Sequence, residues 1–427
     1  MRWNVVPLYA IAKQKKIVNC IGRELLSVYL GIGVIPFSKM TDKRTNVTSA
    51  DLSKYQAVDY GDFVLNNQQA WRGSVGVSKY SGIVSPAYIV LEINDALQTQ
   101  YANYLFQSRS MIDQYVVCSK GVGSIQRNIY WDYLKRITVA LPPRDEQDQI
   151  VRYLDWKVSQ INKLINAKKK LIGLLGEQKR AIIEEALKKI DSQQTLLGYL
   201  GALQNGISAS GDFFTEGTPF VNYGDVYKNE ILPSTVSGAA KATAQQQKTY
   251  SVEYGDVFFT RTSETIEEIG LSSVCNETIP QAVFSGFVIR FRPQKGIIHN
   301  GYARYFFRSK RVRDYFTKEM NLVTRVSLGQ TLLKNLPVLL PDIKTQKIIA
   351  TQLDERCSLI DTLTASLNNE IALLSECRTR LSSDVVTGKL DVRGAVIPDH
   401  YIARESIEPV DEFAEDMDNM IGGECNE

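Results

Sequence analysis

The sequence predicts an α+β chain of two tandem α/β domains, each followed by a long spacer helix, with the two helices pairing as an antiparallel coiled coil. Three observations lead there. A Tyr-Gly-Asp strand start occurs twice, a Leu-Pro helix start occurs twice, and each Leu-Pro run opens an apolar stripe longer than a core helix needs. The boundaries that follow are 1–143 and 191–342 for the domains, 144–190 and 343–393 for the helices, and 394–427 for a tail. At 427 residues the chain has room for two cores.

The strand signature is Tyr60-Gly61-Asp62-Phe63-Val64, matched by Tyr254-Gly255-Asp256-Val257-Phe258 at an offset of 194. The helix signature is stronger. Leu134, Lys135, Val139, Leu141 and Pro142 match Leu333, Lys334, Val338, Leu340 and Pro341 at an offset of 199. The same offset then pairs Gln147 with Gln346, Ile150 with Ile349, Leu154 with Leu353, Asp155 with Asp354 and Ile161 with Ile360. Between the anchors, 66–126 and 261–328 scarcely resemble each other, although β-branched and aromatic alternation predicts strands at 82–93, 254–260 and 282–291. A repeated scaffold with divergent loops suits a two-site reader of different targets; simple drift of old duplicates is the alternative.

In the first helix the apolar positions are Ile150, Val151, Leu154, Val158, Ile161, Leu164, Ile165, Leu171, Ile172 and Leu175, broken at Lys168 and resuming weakly at Ala181, Ile182 and Ala186. In the second they are Ile349, Leu353, Cys357, Ile360, Leu363, Leu367, Ile371, Leu374, Leu381 and Val385, broken at Arg378. Steps of three and four over about 45 residues give helices of roughly 65–70 Å. Two such stripes can bury each other and hold the domains apart like a ruler. Packing of each helix on its own domain is the alternative.

The net charge of +3 conceals an uneven distribution. Residues 1–143 hold 16 Lys and Arg against 9 Asp and Glu, whereas 394–427 holds 1 against 10, so the body is basic and the tail acidic. A basic body suits a polyanion. The tail is expected to be disordered. No run of about 18 uncharged apolar residues exists to cross a bilayer, the most apolar stretch at 25–37 being too short, and the start lacks the order of a secretory signal. A cytoplasmic protein without a membrane partner is expected.

A search for catalysis finds little. The cysteines Cys20, Cys118, Cys275, Cys357, Cys377 and Cys425 stand singly, and His299 and His400 are the only histidines, so no zinc spacing can be drawn and acid–base work by histidine has few candidates. Gly388-Lys389 lacks the upstream glycine of a phosphate loop, and Gly121 and Gly123 lack a third. Pro142-Pro143 runs into Arg144, not the aromatic residue that an amino-methyltransferase motif would carry, and Glu177-Gln178-Lys179 has no second acid nearby. No catalytic residue, metal site or cofactor is expected in this chain.

DNA contact needs Lys and Arg for phosphates, and Arg, Asn, Gln, Ser and Thr for base edges. Both kinds gather in the divergent loops. In the first half the candidates are Asn66, Asn67, Trp71, Arg72, Ser74, Lys79, Tyr80 and Tyr88, then Lys120, Ser124, Gln126 and Arg127. In the second half they are Thr260, Arg261, Thr262 and Ser263, then Arg290 and Arg292 on one face of a strand, and Thr324, Arg325 and Ser327. Arg152, Lys157 and Lys163 on the first helix are the candidates for holding a protein partner. Any one of these alone is as readily an ordinary surface residue.

These residues resemble the specificity subunits of type I restriction-modification systems. The likeness rests on Leu141 to Asp155 and Leu340 to Asp354, and on Val386-Thr387-Gly388-Lys389-Leu390-Asp391-Val392-Arg393 closing the second helix. Asp51-Leu52-Ser53-Lys54-Tyr55, Trp71-Arg72-Gly73-Ser74 and Ser85-Pro86-Ala87-Tyr88 add to it in the first half. Gly217-Thr218-Pro219-Phe220, Arg261-Thr262-Ser263-Glu264 and Phe284-Ser285-Gly286-Phe287 do so in the second. Ile343-Lys344-Thr345, where the first helix has the more acidic Arg144-Asp145-Glu146, and the long acidic tail depart from the pattern. The resemblance implies two target-recognition domains reading a split, asymmetric site in double-stranded DNA, with helix length setting the gap. It also implies two modification subunits that use S-adenosylmethionine, and restriction subunits that translocate DNA with ATP and Mg. A stand-alone DNA-binding regulator and a coiled-coil scaffold that never touches DNA are the competing readings.

Overall fold

The computed structural model describes residues 3–20, 22–39, 51–122, 126–190, 192–208, 217–263, 269–319 and 326–398. The acidic tail therefore lies almost wholly outside the described residues. Two compact units emerge, Met1–Lys169 with Asn368–Cys425, and Lys170–Leu367. Each combines one α/β domain with part of both long helices, so the division runs through the helices and not at their ends.

In the first unit a four-stranded antiparallel sheet has the order Ala12–Lys15, Tyr88–Ile93, Phe63–Asn66, Val75–Val77. Helices Thr99–Phe106 and Arg109–Cys118 cover one face. Phe63 stacks on Phe106 at 4.0 Å between ring centres, and Tyr101 and Tyr115 are buried beside them. Truncating either ring to alanine would cost about 3–5 kcal/mol. The N-terminal strand Asn4–Pro7 pairs with Thr138–Leu141 and leads the chain into the first long helix, Arg144–Lys188.

The second unit repeats this plan. Its sheet has the order Gly201–Asn205, Val288–Pro293, Val257–Thr260, Ser272–Val274, under helices Asn300–Phe306 and Lys310–Glu319. Gln194–Leu196 pairs with Pro337–Leu339 ahead of the second long helix, Ile343–Val386. Beside this unit's four-stranded sheet lies a three-stranded sheet, Gly238–Ala240, Thr218–Val221, Val283–Phe284; in the first unit Gly82–Val84, at the place of Val283–Phe284, pairs with Gln56–Val58 and bridges Leu25 in parallel at Ile83, next to the hairpin Leu26–Tyr29 with Gly33–Pro36.

The repeat extends to single hydrogen bonds. The Gln147 carboxamide, 1% exposed, accepts the Gln98 N–H at 2.8 Å and donates to the Ala96 and Pro142 carbonyls. Gln346 accepts the His299 N–H at 2.8 Å and donates to Ile297 and Pro341. Tyr104 donates to Asp155 at 2.7 Å, as Tyr305 does to Asp354. A glutamine is what these two places need, because it is neutral and offers both a donor and an acceptor inside a tight loop.

The long helices pair antiparallel within each unit. In the first, Asn162 meets Arg378 and Lys168 meets Glu370, so residue numbers rise on one helix as they fall on the other. In the second, Leu175 and Ile182 pack with Leu353, Cys357, Ile360 and Leu367, and Lys179 bonds Asp361 at 2.8 Å. Gly388, at φ +71°, ends the second helix with the Trp3 ring 3.0 Å from where a Cβ would stand, so only glycine fits.

Two expectations change. The strand runs 82–93 and 282–291 are each broken in two, into Gly82–Val84 with Tyr88–Ile93 and Val283–Phe284 with Val288–Pro293. Turns closed by Tyr88 N–H on Ser85 and Val288 N–H on Ser285 interrupt them, around Pro86 and Gly286. The stripe is also narrower than its sequence: Leu164, Leu171 and Leu363 are 52%, 42% and 44% exposed. A two-helix seam accepts one of two adjacent apolar residues, and it takes Ile165 in preference to Leu164.

Candidate nucleic-acid interface

Each sheet has two ends. At one, the Phe63–Asn66 strand runs into the 66–74 loop and the Val257–Thr260 strand runs into the 260–263 segment. The divergent segments collect there, so this is the reading end.

In the first unit the loop is a built structure. The Asn66 Oδ1 accepts the Gln68 N–H, and the Trp71 indole N–H donates to the Gln68 carbonyl at 2.8 Å. The 3₁₀ turn Ala70–Arg72 then stops at Gly73, φ +105°. The Arg72 guanidinium lies 4.7 Å from the Trp71 ring centre and that of Arg127 lies 5.7 Å from it. Arg127 comes from the hairpin Ser119–Val122 with Gln126–Ile129 and also bonds the Ser119 hydroxyl. Two guanidinium groups held on one indole are a positive, planar, partly rigid surface. Asn67 joins the parts: its backbone carbonyl and its Oδ1 both accept the Ile129 N–H, at 3.1 and 2.9 Å. Lys120 is exposed, with its ammonium 4.0 Å over the Tyr133 ring.

The second unit builds the same junction from other side chains. Leu328 N–H donates to the Arg261 carbonyl at 2.7 Å, as Ile129 does to Asn67, and Arg261 N–H donates to Phe287 as Asn67 does to Ala87. Arg261 is thus the structural counterpart of Asn67, not of Arg72. Thr262–Ser263 forms a short antiparallel ribbon with Val326–Ser327, which brings together two segments the sequence could only place far apart. Arg261 gives one guanidinium N–H to the Gly286 carbonyl at 3.1 Å, and most of its donors remain for a ligand. Beside it Phe287 is 62% exposed, an aromatic surface that residue-type reasoning passed over. The repeated chain position after Ser285-Gly286 was the available signal.

Several candidates stand elsewhere. Ser74, 2% exposed, donates to the Val28 carbonyl, and Thr260, fully buried, accepts the Leu271 N–H. Arg290 is 6% exposed; it donates to the Ser251 carbonyl and to Gln204, and burial pushes its pKa down. Arg292 does share its face, yet that face is covered by 251–256, where Asp256 and Glu253 grip it at 2.6 and 2.7 Å. Burial works against the Arg292 charge, but the two carboxylates outweigh it and raise its pKa. Strand alternation tells which residues share a face and not which face meets solvent. Lys79 and Tyr80 follow Val77 and so lie at the opposite end of the sheet. Tyr88 is at the reading end, half-buried, with its hydroxyl 3.2 Å from Ser27. Ser124, Thr324 and Arg325 lie outside the described residues, as do the side chains of Gln126 and Ser263. On the first long helix Arg152 and Lys163 are exposed, and Lys157 lies over the Trp156 ring at 3.9 Å.

Among the described residues no cluster of His, Cys, Asp and Glu could hold a metal ion, and no helix is long and apolar enough to cross a membrane.

A family model described as type I restriction modification DNA specificity domain matches residues 13–173 and 205–373, one match per repeat. The chain belongs to this family of DNA specificity domains. The EcoKI specificity subunit of Escherichia coli is 20% identical over 302 residues, 66% of this chain and 64% of that protein. The chain thus spans just under two thirds of that curated relative. A solved chain from work on complex assembly and conformational transition of the type I R-M system superimposes with a TM-score of 0.59 at 15% identity, covering 91% of this chain and 98% of that one. At that identity the likeness concerns the fold.

Proposed function

We propose that this chain reads a split, asymmetric double-stranded DNA site, the first unit taking one half-site and the second the other. The observation that carries this reading is the junction built twice on the same backbone bonds at the reading end, with Arg72 and Arg127 on the Trp71 ring beside it in one unit and Arg261 within it in the other. A shared frame that presents different side chains is what two different half-sites require. The long helices scaffold two modification subunits, which methylate adenine with S-adenosylmethionine, and restriction subunits that use ATP and Mg. This chain supplies no cofactor site to that chemistry, and the assembly works in the cytoplasm.

The test is to purify the chain with the modification subunit of the same system and to map methylated adenine across a genome. A two-part motif with a fixed gap is the expected result. A complex that methylates no two-part motif would overturn the two-reader account. Tight, sequence-selective binding by the chain alone, with no complex formed, would favour a stand-alone regulator.

A further inference from the structure

The end of each sheet opposite the reading loops carries a second repeat, which DNA reading leaves without a role. Asp59-Tyr60-Gly61-Asp62 is a turn closed by the Asp62 N–H on the Asp59 carbonyl, with Gly61 at φ +90°. Glu253-Tyr254-Gly255-Asp256 is the same turn, with Gly255 at φ +91°. In both, the final Asp accepts the first residue's N–H at 2.8 Å, so glycine and aspartate are required by the turn itself. Tyrosine is not. It stands at the tip, 67% exposed in one unit and 65% in the other, and among the described residues no hydrogen bond holds either phenol. A polar residue or proline would serve the turn as well, yet both units place a large aromatic in solvent.

Three further facts narrow what meets it. A second exposed tyrosine stands at the same end in each unit, Tyr9 before Ala12–Lys15 and Tyr199 before Gly201–Asn205, 60% and 74% exposed. The residue before each turn tyrosine is a half-exposed carboxylate whose charge is already met within its own unit, Asp59 by Lys15 and Arg23 and Glu253 by Arg292, so the phenol is the group each turn leaves open. The same end adjoins the first turn of a long helix through Gln147 or Gln346.

We propose that the Tyr60 and Tyr254 turns are equivalent docking points for two copies of one protein partner, each offering an arginine or lysine that stacks on the phenol. Divergent loops serve two different half-sites; an unvaried turn serves one partner bound twice. Tyrosine suits the task, giving a rigid contact with little entropy to lose. The proposal rests on the functional reading above, which supplies a partner present in two copies, the modification subunit.

The experiment is native mass spectrometry of the full chain with that modification subunit, titrated in the nanomolar range, for the parent chain and for Tyr60→Ala, Tyr254→Ala and the double variant. Each single variant is expected to weaken one of the two copies about tenfold, and the double variant both. Thermal unfolding should be unchanged, since neither tyrosine is packed. A double variant that binds both copies as tightly as the parent overturns the docking proposal alone. A double variant with intact assembly and weaker DNA binding overturns it in favour of a DNA contact. A parent chain that binds no modification subunit overturns the functional reading together with the proposal.

Discussion

The two ends of each sheet differ in what they repeat. At the end joined to the long helix, bonds recur side chain by side chain: Gln147 with Gln346, Tyr104 with Tyr305, and the two Tyr-Gly-Asp turns. At the reading end the bonds that recur are those of the backbone frame, from Ile129 to Asn67 and from Leu328 to Arg261, with the Ser85 and Ser285 hydroxyls accepting the Ala87 and Phe287 N–H, while the other side chains on that frame differ. One chain thus separates a part that must be the same twice from a part that must not. The buried aspartate shows how far sameness goes. Asp62 is neutralised by Lys15 on one strand, and Asp256 by Arg292 on another, with Gln204 where Lys15 would stand. The charge balance is kept although the residue supplying it has moved.

That exchange can be broken directly. Arg292→Ala leaves Asp256, 1% exposed, without its cation and should destabilise the second unit by about 3 kcal/mol, read by hydrogen exchange in Val257–Thr260. Adding Gln204→Lys should restore part of the loss; no recovery would mean that the two strands are not interchangeable sources of charge. Gln147→Ala and Gln346→Ala should each cost about 2 kcal/mol, because each orphans a buried N–H and two carbonyls. Costs that differ widely between the units would sink the claim that this end is built identically.

The fold was legible because its signals are local and repeated. Gln147, Leu154 and Asp155 stand at fixed steps after Pro142, and the helix they predict is the one observed, Arg144–Lys188. The interface was less legible, since its chemistry depends on which face meets solvent. Arg290 and Arg292 read as donors for DNA, and a segment remote in sequence, 251–256, covers them. Asn67 read as a base contact, and its carboxamide instead ties its loop to Ile129. Phe287 stands in the Phe284-Ser285-Gly286-Phe287 run and yet is not among the contact candidates, because the run does not tell that its ring is exposed.

Smaller effects sharpen the same contrast. Asn67→Ala should lower affinity for the first half-site about fivefold, as the loss of one neutral hydrogen bond implies, without changing the preferred base; a changed base preference in a DNA-binding series would make Asn67 a reader after all. The second unit should also be the more acid-sensitive. Burial alone would push the Glu230 carboxyl up, but Lys179 and Arg304 hold it below its usual 4.5. Its folded value being depressed, the stability it contributes is present above 4.5 and lost as pH falls through the lower value. Glu230→Gln should flatten that acid limb in unfolding curves of the second unit, and an unchanged limb would assign it to other groups.

The central claim is that each unit reads its own half-site, and the most direct test is the methylated motif written by complexes carrying Arg72→Ala or Arg261→Ala. Each variant is predicted to relax one half of the motif by about 1–3 kcal/mol of discrimination while the other half and the gap stay as in the parent. Equal loss in both halves from either variant would contradict the account.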